Sequence, residues 1–131
     1  MKQLLGISIL VVDDEPEMLS ILCDVFEDEG ACIQVAEGGH IALNCLKQGG
    51  GVDVVLSDIC MPEGDGLELL KNILSTIMNP PPVILHTGCF DIKFEKAKEL
   101  GAFDLLVKPA NSKTLVEAII KAMTHSKLKS S

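Results

Sequence analysis

The chain has 131 residues and a formal charge of −8, and all eleven of its basic residues are lysines. Without arginine it lacks the bidentate side chain that dominates specific contacts to bases. Without tryptophan or tyrosine it also lacks the aromatic side chains on which the bases of single-stranded nucleic acids usually stack. Direct nucleic-acid binding is therefore not expected.

Hydropathy and cysteine spacing narrow the class of protein further. No apolar stretch approaches the roughly 18 residues of a membrane helix, which argues against membrane insertion. The five cysteines are odd in number and never form a CxxC pair, so neither a disulfide framework nor a zinc site is indicated. We therefore expect reduced thiols in a cytoplasmic compartment.

Short apolar runs rich in β-branched residues recur along the chain. They are too short for helices and apolar enough for strands buried on both faces, whereas the second run alternates as an edge strand would. The predicted strands are residues 7–12, 32–36, 52–57, 82–86 and 104–107.

Segments with helical periodicity separate and follow these runs. The fourth helix, around residues 91–100, has the fewest apolar residues, and residues 125–131 are predicted to form a frayed tail. The apolar stripes of the other helices are Met18, Leu22 and Phe26; Ile41, Ala42, Cys45 and Leu46; Leu67, Leu70, Leu74 and Ile77; and Leu115, Ile119 and Met123.

Five strands that alternate with five helices predict an α/β domain with helices on both faces of one sheet, since βα crossovers are right-handed. We expect a flavodoxin-like doubly wound (βα)5 fold, its parallel five-stranded sheet in the order 2-1-3-4-5. A single domain is predicted over residues 1–131, with its core at about 7–124. In this strand order the crevice opens at the carboxyl ends of the first and third strands.

Polar residues follow the predicted strands at that edge, although each alone would also suit a turn or a helix cap. They are Asp13, Asp14, Asp58, Thr87 and Lys108. Three carboxylates within 4–5 Å repel by about 4 kcal/mol per pair, so the cluster requires protons or a cation. Oxygen ligands favour Mg²⁺, which would allow a carboxylate to accept a phosphoryl group.

Four motifs resemble the signatures of the response-regulator receiver domain. They are VVDDE at 11–15, SDICMPEGDG at 57–66, HTG at 86–88 and VKP at 107–109. The resemblance implies that Asp58 accepts phosphate from a phosphohistidine on a sensor histidine kinase or a histidine phosphotransfer domain. The protein would then be a signalling domain that acts only on its own phosphorylation state.

The same resemblance implies the roles of the other residues at this edge. Mg²⁺ would bind Asp14, Asp58 and the backbone carbonyl of Cys60, while Asp13 acts through metal-bound water. Lys108 and Thr87 would contact the phosphoryl group, and the Lys108–Pro109 bond would be cis.

Phosphorylation is further expected to draw Thr87 inward and to reshape the surface of the fourth helix, fifth strand and fifth helix. A downstream protein of unknown identity, or a second copy of the chain, would dock there. The switch position, which is often aromatic in this family, is Leu105 here, so the switch is predicted either to be weaker, with partial activation, or to be transmitted by the loop alone. Cysteines stand at the two positions that tune phosphate lifetime, Cys60 and Cys89, which predicts slow self-dephosphorylation.

Two alternatives remain open at this level. A receiver-like interaction module could act without phosphate, and a haloacid-dehalogenase-type phosphatase would also use Mg²⁺ and an aspartyl phosphate. The phosphatase would need a DxD arrangement after the first strand, where this chain reads DDE.

His86 is predicted to be a half-buried histidine with its hydrogen bonds satisfied.

Overall fold

The computed structural model describes residues 2–62, 65–88 and 92–130. Strands and helices alternate strictly along the chain, as β1 Ser8–Val12, α1 Pro16–Asp28, β2 Cys32–Ala36, α2 Gly39–Lys47, β3 Val54–Ser57, α3 Gly66–Thr76, β4 Val83–Thr87, α4 Phe94–Glu99, β5 Asp104–Val107 and α5 Ser112–Ser130.

All four neighbouring strand pairs are parallel, and the sheet has the order β2-β1-β3-β4-β5. This confirms the predicted flavodoxin-like doubly wound fold. The register aligns Val12 with Ser57 and Thr87 with Val107, so the carboxyl ends of the strands form one edge. The strand order reverses between β1 and β3, which places the expected crevice there.

Each face of the sheet is covered by its own layer of helices. One face packs against α1 and α5, with Phe26 and Ile119 among its fully buried side chains. The opposite face packs against α2, α3 and α4, through residues such as Leu70 and Ile73. Each such side chain stabilises the fold by about 1.5–3 kcal/mol, which explains why β1 and β3 consist almost entirely of apolar residues.

Local signals in the sequence mark several helix ends. Pro16 occupies the first turn of α1, and Asp65 caps α3 by accepting a hydrogen bond from the Glu68 amide at 2.8 Å. Gly30 and Gly49 have positive φ angles of 90° and 70°, just beyond α1 and α2. Glycine is favoured at both positions because other residues are strained in this conformation.

The carboxyl-terminal segment differs from the prediction. α5 continues to Ser130, so the expected frayed tail from residue 125 is wrong. No glycine or proline interrupts residues 112–130, and the His125 ring lies 5.3 Å from that of Phe103, which anchors this part of the helix. The predicted fourth helix is shorter in the structure, at six residues, while Asp91 lies outside the described residues.

Among the described residues, none of the helices has both the length and the apolar character required to cross a bilayer.

Candidate functional site

Backbone hydrogen bonds extend the sheet by one residue beyond β1, β3 and β5. The Asp13 amide donates to the Ala36 carbonyl at 3.1 Å, and the Asp58 amide donates to the Val12 carbonyl at 2.9 Å. The Lys108 amide donates to the Thr87 carbonyl at 2.9 Å. Residues up to 95 positions apart are therefore fixed at the same edge, as the sequence predicted.

The Lys108 ammonium lies between carboxylates. Its Nζ is 2.8 Å from Asp13 Oδ2, 2.9 Å from Asp58 Oδ2 and 3.6 Å from Glu15 Oε1. Burial alone would lower the pKa of Lys108, but the hydrogen bonds and negative charges of Asp13 and Asp58 outweigh it and raise this pKa well above its usual range. The ammonium therefore stays protonated beside Asp58.

The two buried carboxylates are held in fixed orientations. Asp13 and Asp58 are 1% and 5% exposed. The second oxygen of each accepts a backbone hydrogen bond, from the Ile59 amide to Asp58 Oδ1 at 2.7 Å and from the Glu15 amide to Asp13 Oδ1 at 2.9 Å. Charge-assisted bonds of this kind position a carboxylate without a contribution from a flexible side chain.

Gly66 explains part of the SDICMPEGDG motif. A Cβ at this position would lie 2.1 Å from the Asp58 carbonyl oxygen and 2.9 Å from the Ile59 Cα. The Gly66 amide donates to the Ile59 carbonyl at 2.8 Å. The loop after Asp58 thus folds back so tightly on the start of α3 that only glycine fits.

Acidic residues form a cluster at this edge. Asp13, Asp14, Glu15 and Asp58 offer carboxylate oxygens that all lie within 4.8 Å of one another. Lys108 supplies one positive charge against four negative ones, which leaves a charge of −3 if all five groups are ionised. Hard oxygen ligands and excess negative charge suit a divalent cation such as Mg²⁺.

Glu15 was not among the predicted site residues. Its signal was present in the VVDDE motif, where it is the third consecutive acid, but an acidic residue just before a helix is also typical of an ordinary helix start.

Cys60 is exposed and follows Asp58 by two residues in the loop that leads to α3. Cys89 lies outside the described residues.

The two predicted switch residues face the same side of the sheet. Thr87 ends β4, is 2% exposed and pairs with Val107. Leu105 pairs with Leu85, is half-buried and packs against the α2–α4 core. Phe103 instead packs against the α1–α5 core, so it cannot replace the absent aromatic next to Thr87.

His86 differs from its prediction. It is 2% exposed, and within the described part of the chain neither ring nitrogen has a hydrogen-bond partner. Alternation along β4 turns it, like Ile84, toward the apolar α1–α5 face, which explains the missing partner. Burial, followed by the charge of Lys108, lowers its pKa, so the imidazole is neutral at physiological pH.

The lysine–proline bond after β5 is cis, as the resemblance implied. Within the described ranges, Cys23 and Cys45 are half-buried, Cys32 is exposed, and none of these three forms a disulfide bond.

The comparisons of this chain with known proteins point to the same family. The family model for the response regulator receiver domain matches residues 9–120. The transcriptional regulatory protein CpxR of Escherichia coli is 36% identical over 118 residues, which are 90% of this chain and 50% of that protein. The transcriptional regulatory protein ZraR of Salmonella typhimurium is 34% identical over 123 residues, which are 92% of this chain and 27% of that protein. The chain thus spans half or less of the length of these relatives.

Solved structures support the same relationship. A response regulator receiver domain protein from Clostridium thermocellum has a TM-score of 0.85 and 31% identity, over 93% of this chain and 98% of that one. A CheY-like receiver domain protein from Methanospirillum hungatei has a TM-score of 0.84 and 25% identity, over 97% and 99%. With the fold, the motifs and the match to residues 9–120 in agreement, the chain belongs to the family of response regulator receiver domains.

Proposed function

We propose that Asp58 is the phosphoacceptor of this receiver domain and takes its phosphoryl group from a phosphohistidine on a sensor histidine kinase or a histidine phosphotransfer domain. The observation that carries this proposal is the placement of Asp58 between Lys108 and the Asp13–Asp14–Glu15 segment, at the edge where the strand order reverses. The compartment that we propose is the cytoplasm, where cysteine thiols stay reduced.

The transfer requires a nucleophile and a means of neutralising the negative charge. A carboxylate oxygen of Asp58 forms a bond to phosphorus while the bond from phosphorus to the histidine nitrogen breaks, and that nitrogen leaves with the electron pair. Lys108 Nζ, at 2.9 Å from Asp58 Oδ2, is positioned to stabilise the charge on the phosphoryl oxygens. The hydroxyl of Thr87, which ends the adjacent strand, donates to the same group.

The acidic cluster fits Mg²⁺. Asp14 is half-buried, and in the described part of the chain no hydrogen bond or ion pair occupies its carboxylate, so its oxygens can serve as ligands. Together with Asp58 and the carbonyl of Cys60 it would hold the ion, and Asp13 would contact it through water. When bound, Mg²⁺ supplies the positive charge that makes a phosphoryl group stable beside these carboxylates.

Thr87 and Leu105 would couple phosphorylation to the surface formed by α4, β5 and α5. This surface exposes apolar side chains, since Phe94, Leu100 and Val107 are 47%, 41% and 55% exposed. We propose that it receives a downstream protein or a second copy of the domain. Because Leu105 provides no aromatic ring, the shift toward the active surface is partial.

Slow loss of the phosphoryl group is also part of the proposal. Cys60 and Cys89, at the positions that tune lifetime in this family, are poor general bases and position water weakly. The domain would therefore act as a signalling device whose only reactions are its own phosphorylation and dephosphorylation.

Incubation with a small-molecule phosphodonor and Mg²⁺, followed by intact-mass measurement, tests this function. Wild type should gain one phosphoryl group, Asp58→Asn should gain none, and Asp24→Asn, an exposed site on α1, should behave as wild type. Turnover of the donor without a mass gain would instead indicate a phosphatase, and the absence of any reaction would indicate an interaction module that acts without phosphate.

A further inference from the structure

The two carboxylates that hold Lys108 also belong to the proposed metal site. Lys108 Nζ donates to Asp13 Oδ2 at 2.8 Å and to Asp58 Oδ2 at 2.9 Å. A divalent cation at the acidic cluster would bind Asp58 directly and Asp13 through water, so it would draw on the same two carboxylates. The lysine and the metal ion would therefore compete for the negative charge of these carboxylates, and their like charges would repel.

Glu15 is the third carboxylate within reach of Lys108. Its Oε1 lies 3.6 Å from Nζ, so a movement of about 1 Å would give a charge-assisted hydrogen bond of ordinary length. The Glu15 side chain makes no capping hydrogen bond to α1 among the described residues, so it is available for this contact. Its backbone is fixed, because the Glu15 amide donates to Asp13 Oδ1 at 2.9 Å.

We propose that Glu15 is a positioning residue that receives the Lys108 ammonium when a divalent cation binds Asp14 and Asp58. The movement keeps the lysine at the edge of the site, where it remains available to the phosphoryl group. This inference rests on the proposed function, because it requires that the acidic cluster binds Mg²⁺.

Magnesium affinity in a double-mutant cycle tests the role of Glu15 without reference to phosphorylation. Glu15→Gln should weaken Mg²⁺ binding about threefold in calorimetric titration, a size typical of one half-exposed ion pair. In the Lys108→Ala background the same substitution should change the affinity by less than about 1.5-fold, because no ammonium remains to be relocated. Lys108→Met serves the same purpose if the alanine variant does not fold.

Glu17→Gln is the matched control, since it removes the same charge from the first turn of α1 at an exposed position. It reports the long-range electrostatic contribution and should be close to wild type. Glu15→Asp keeps the charge but shortens the reach, and it should weaken binding as Glu15→Gln does.

An equal loss for Glu15→Gln with and without Lys108 would overturn the inference, because Glu15 would then act on the metal ion and not on the lysine. Failure of wild type to bind millimolar Mg²⁺ would contradict the proposed function itself and would remove this inference with it. The two failures are therefore distinguishable.

Discussion

The two halves of the sheet edge differ in how firmly their elements are packed. In the acidic half, formed by β1, β3 and α1, every residue of β3 is buried and α1 buries Leu19, Leu22 and Phe26. In the response half, formed by α4 and β5, the described residues of β5 include no fully buried one, and Ala97 is the single buried residue of the six in α4.

This difference fits the proposed function, which combines phosphoryl transfer with switching. The acidic half holds charged groups in place through backbone hydrogen bonds, which is what a phosphoryl-transfer site requires. The response half has few buried contacts, so less free energy opposes its rearrangement, as is typical of elements that move in regulation. The predictions that follow are ordered from the largest expected effect to the smallest.

Removal of the Lys108 ammonium should have the largest effect and should destabilise the acidic half. Lys108→Ala leaves the buried carboxylates of Asp13 and Asp58 without their cationic partner and should lower the free energy of unfolding by about 3 kcal/mol at neutral pH. Urea unfolding with and without Mg²⁺ measures this, and Mg²⁺ should restore part of the loss. Lys121→Ala, at an exposed position on α5, is the control, and an equal effect for both variants would contradict the account.

The tight loop after Asp58 should be nearly as sensitive. Gly66→Ala forces a Cβ to within 2.1 Å of a backbone oxygen and should destabilise the domain by about 2–3 kcal/mol. Gly50→Ala is the matched control, because its Cβ would meet its nearest neighbour at 3.5 Å, an ordinary contact. Thermal unfolding of both variants provides the comparison. A stability of Gly66→Ala equal to that of Gly50→Ala would show that the loop can open without loss.

Because of the buried His86 side chain, we expect the stability of the domain to depend on pH. Its pKa is lowered from the usual 6.5 in the folded state, so the unfolded chain binds a proton first as the pH falls. The contribution of His86 to the free energy of unfolding is therefore fully present above about pH 6.5. Below that pH it decreases, by at most about 1.4 kcal/mol per pH unit. The charges that act on the ring are those of Lys108, which lowers the pKa, and of Asp13 and Asp58, which raise it and so reduce the effect.

His86→Leu should abolish this slope and should also raise the free energy of unfolding by about 1 kcal/mol at pH 7, since it removes an unpaired buried polar group. Urea unfolding between pH 5 and pH 7.5 measures both effects, and exposed His40→Gln is the control. Persistence of the full slope in His86→Leu would mean that other groups produce it.

The smallest expected effect concerns the response half. Amide hydrogen exchange should be faster in α4 than in α1, because α4 has a single buried residue. Ala97→Gly should increase exchange in α4 by an amount that corresponds to about 1 kcal/mol, with little change in β1 and β3. Uniform exchange rates across the two halves would contradict the comparison.

The fold and the members of the acidic edge could be predicted from the sequence because both follow from periodicity. Parallel strands that end just before Asp13 and Asp58, and at Thr87, must bring these residues to one edge once the strand order is known. The predictions that relied on local composition were less successful. Polar residues at 125–130 indicated a tail, yet they are also compatible with a helix, and contact with Phe103 favours the helix.

The contribution of Glu15 and the isolation of His86 could not be predicted because both depend on tertiary neighbours. Glu15 becomes a site residue only when Lys108, 93 positions later, is placed at 3.6 Å from it. His86 lacks a partner because the α1–α5 face above it is apolar, and nothing in the HTG motif reveals that.

Localisation of the phosphoryl group tests the central claim most directly. After reaction with a phosphodonor and Mg²⁺, peptide mapping by mass spectrometry should find the group on Asp58, in the peptide that spans β3 and the loop after it. A phosphoryl group on any other residue, or one that persists in Asp58→Asn, would contradict the account.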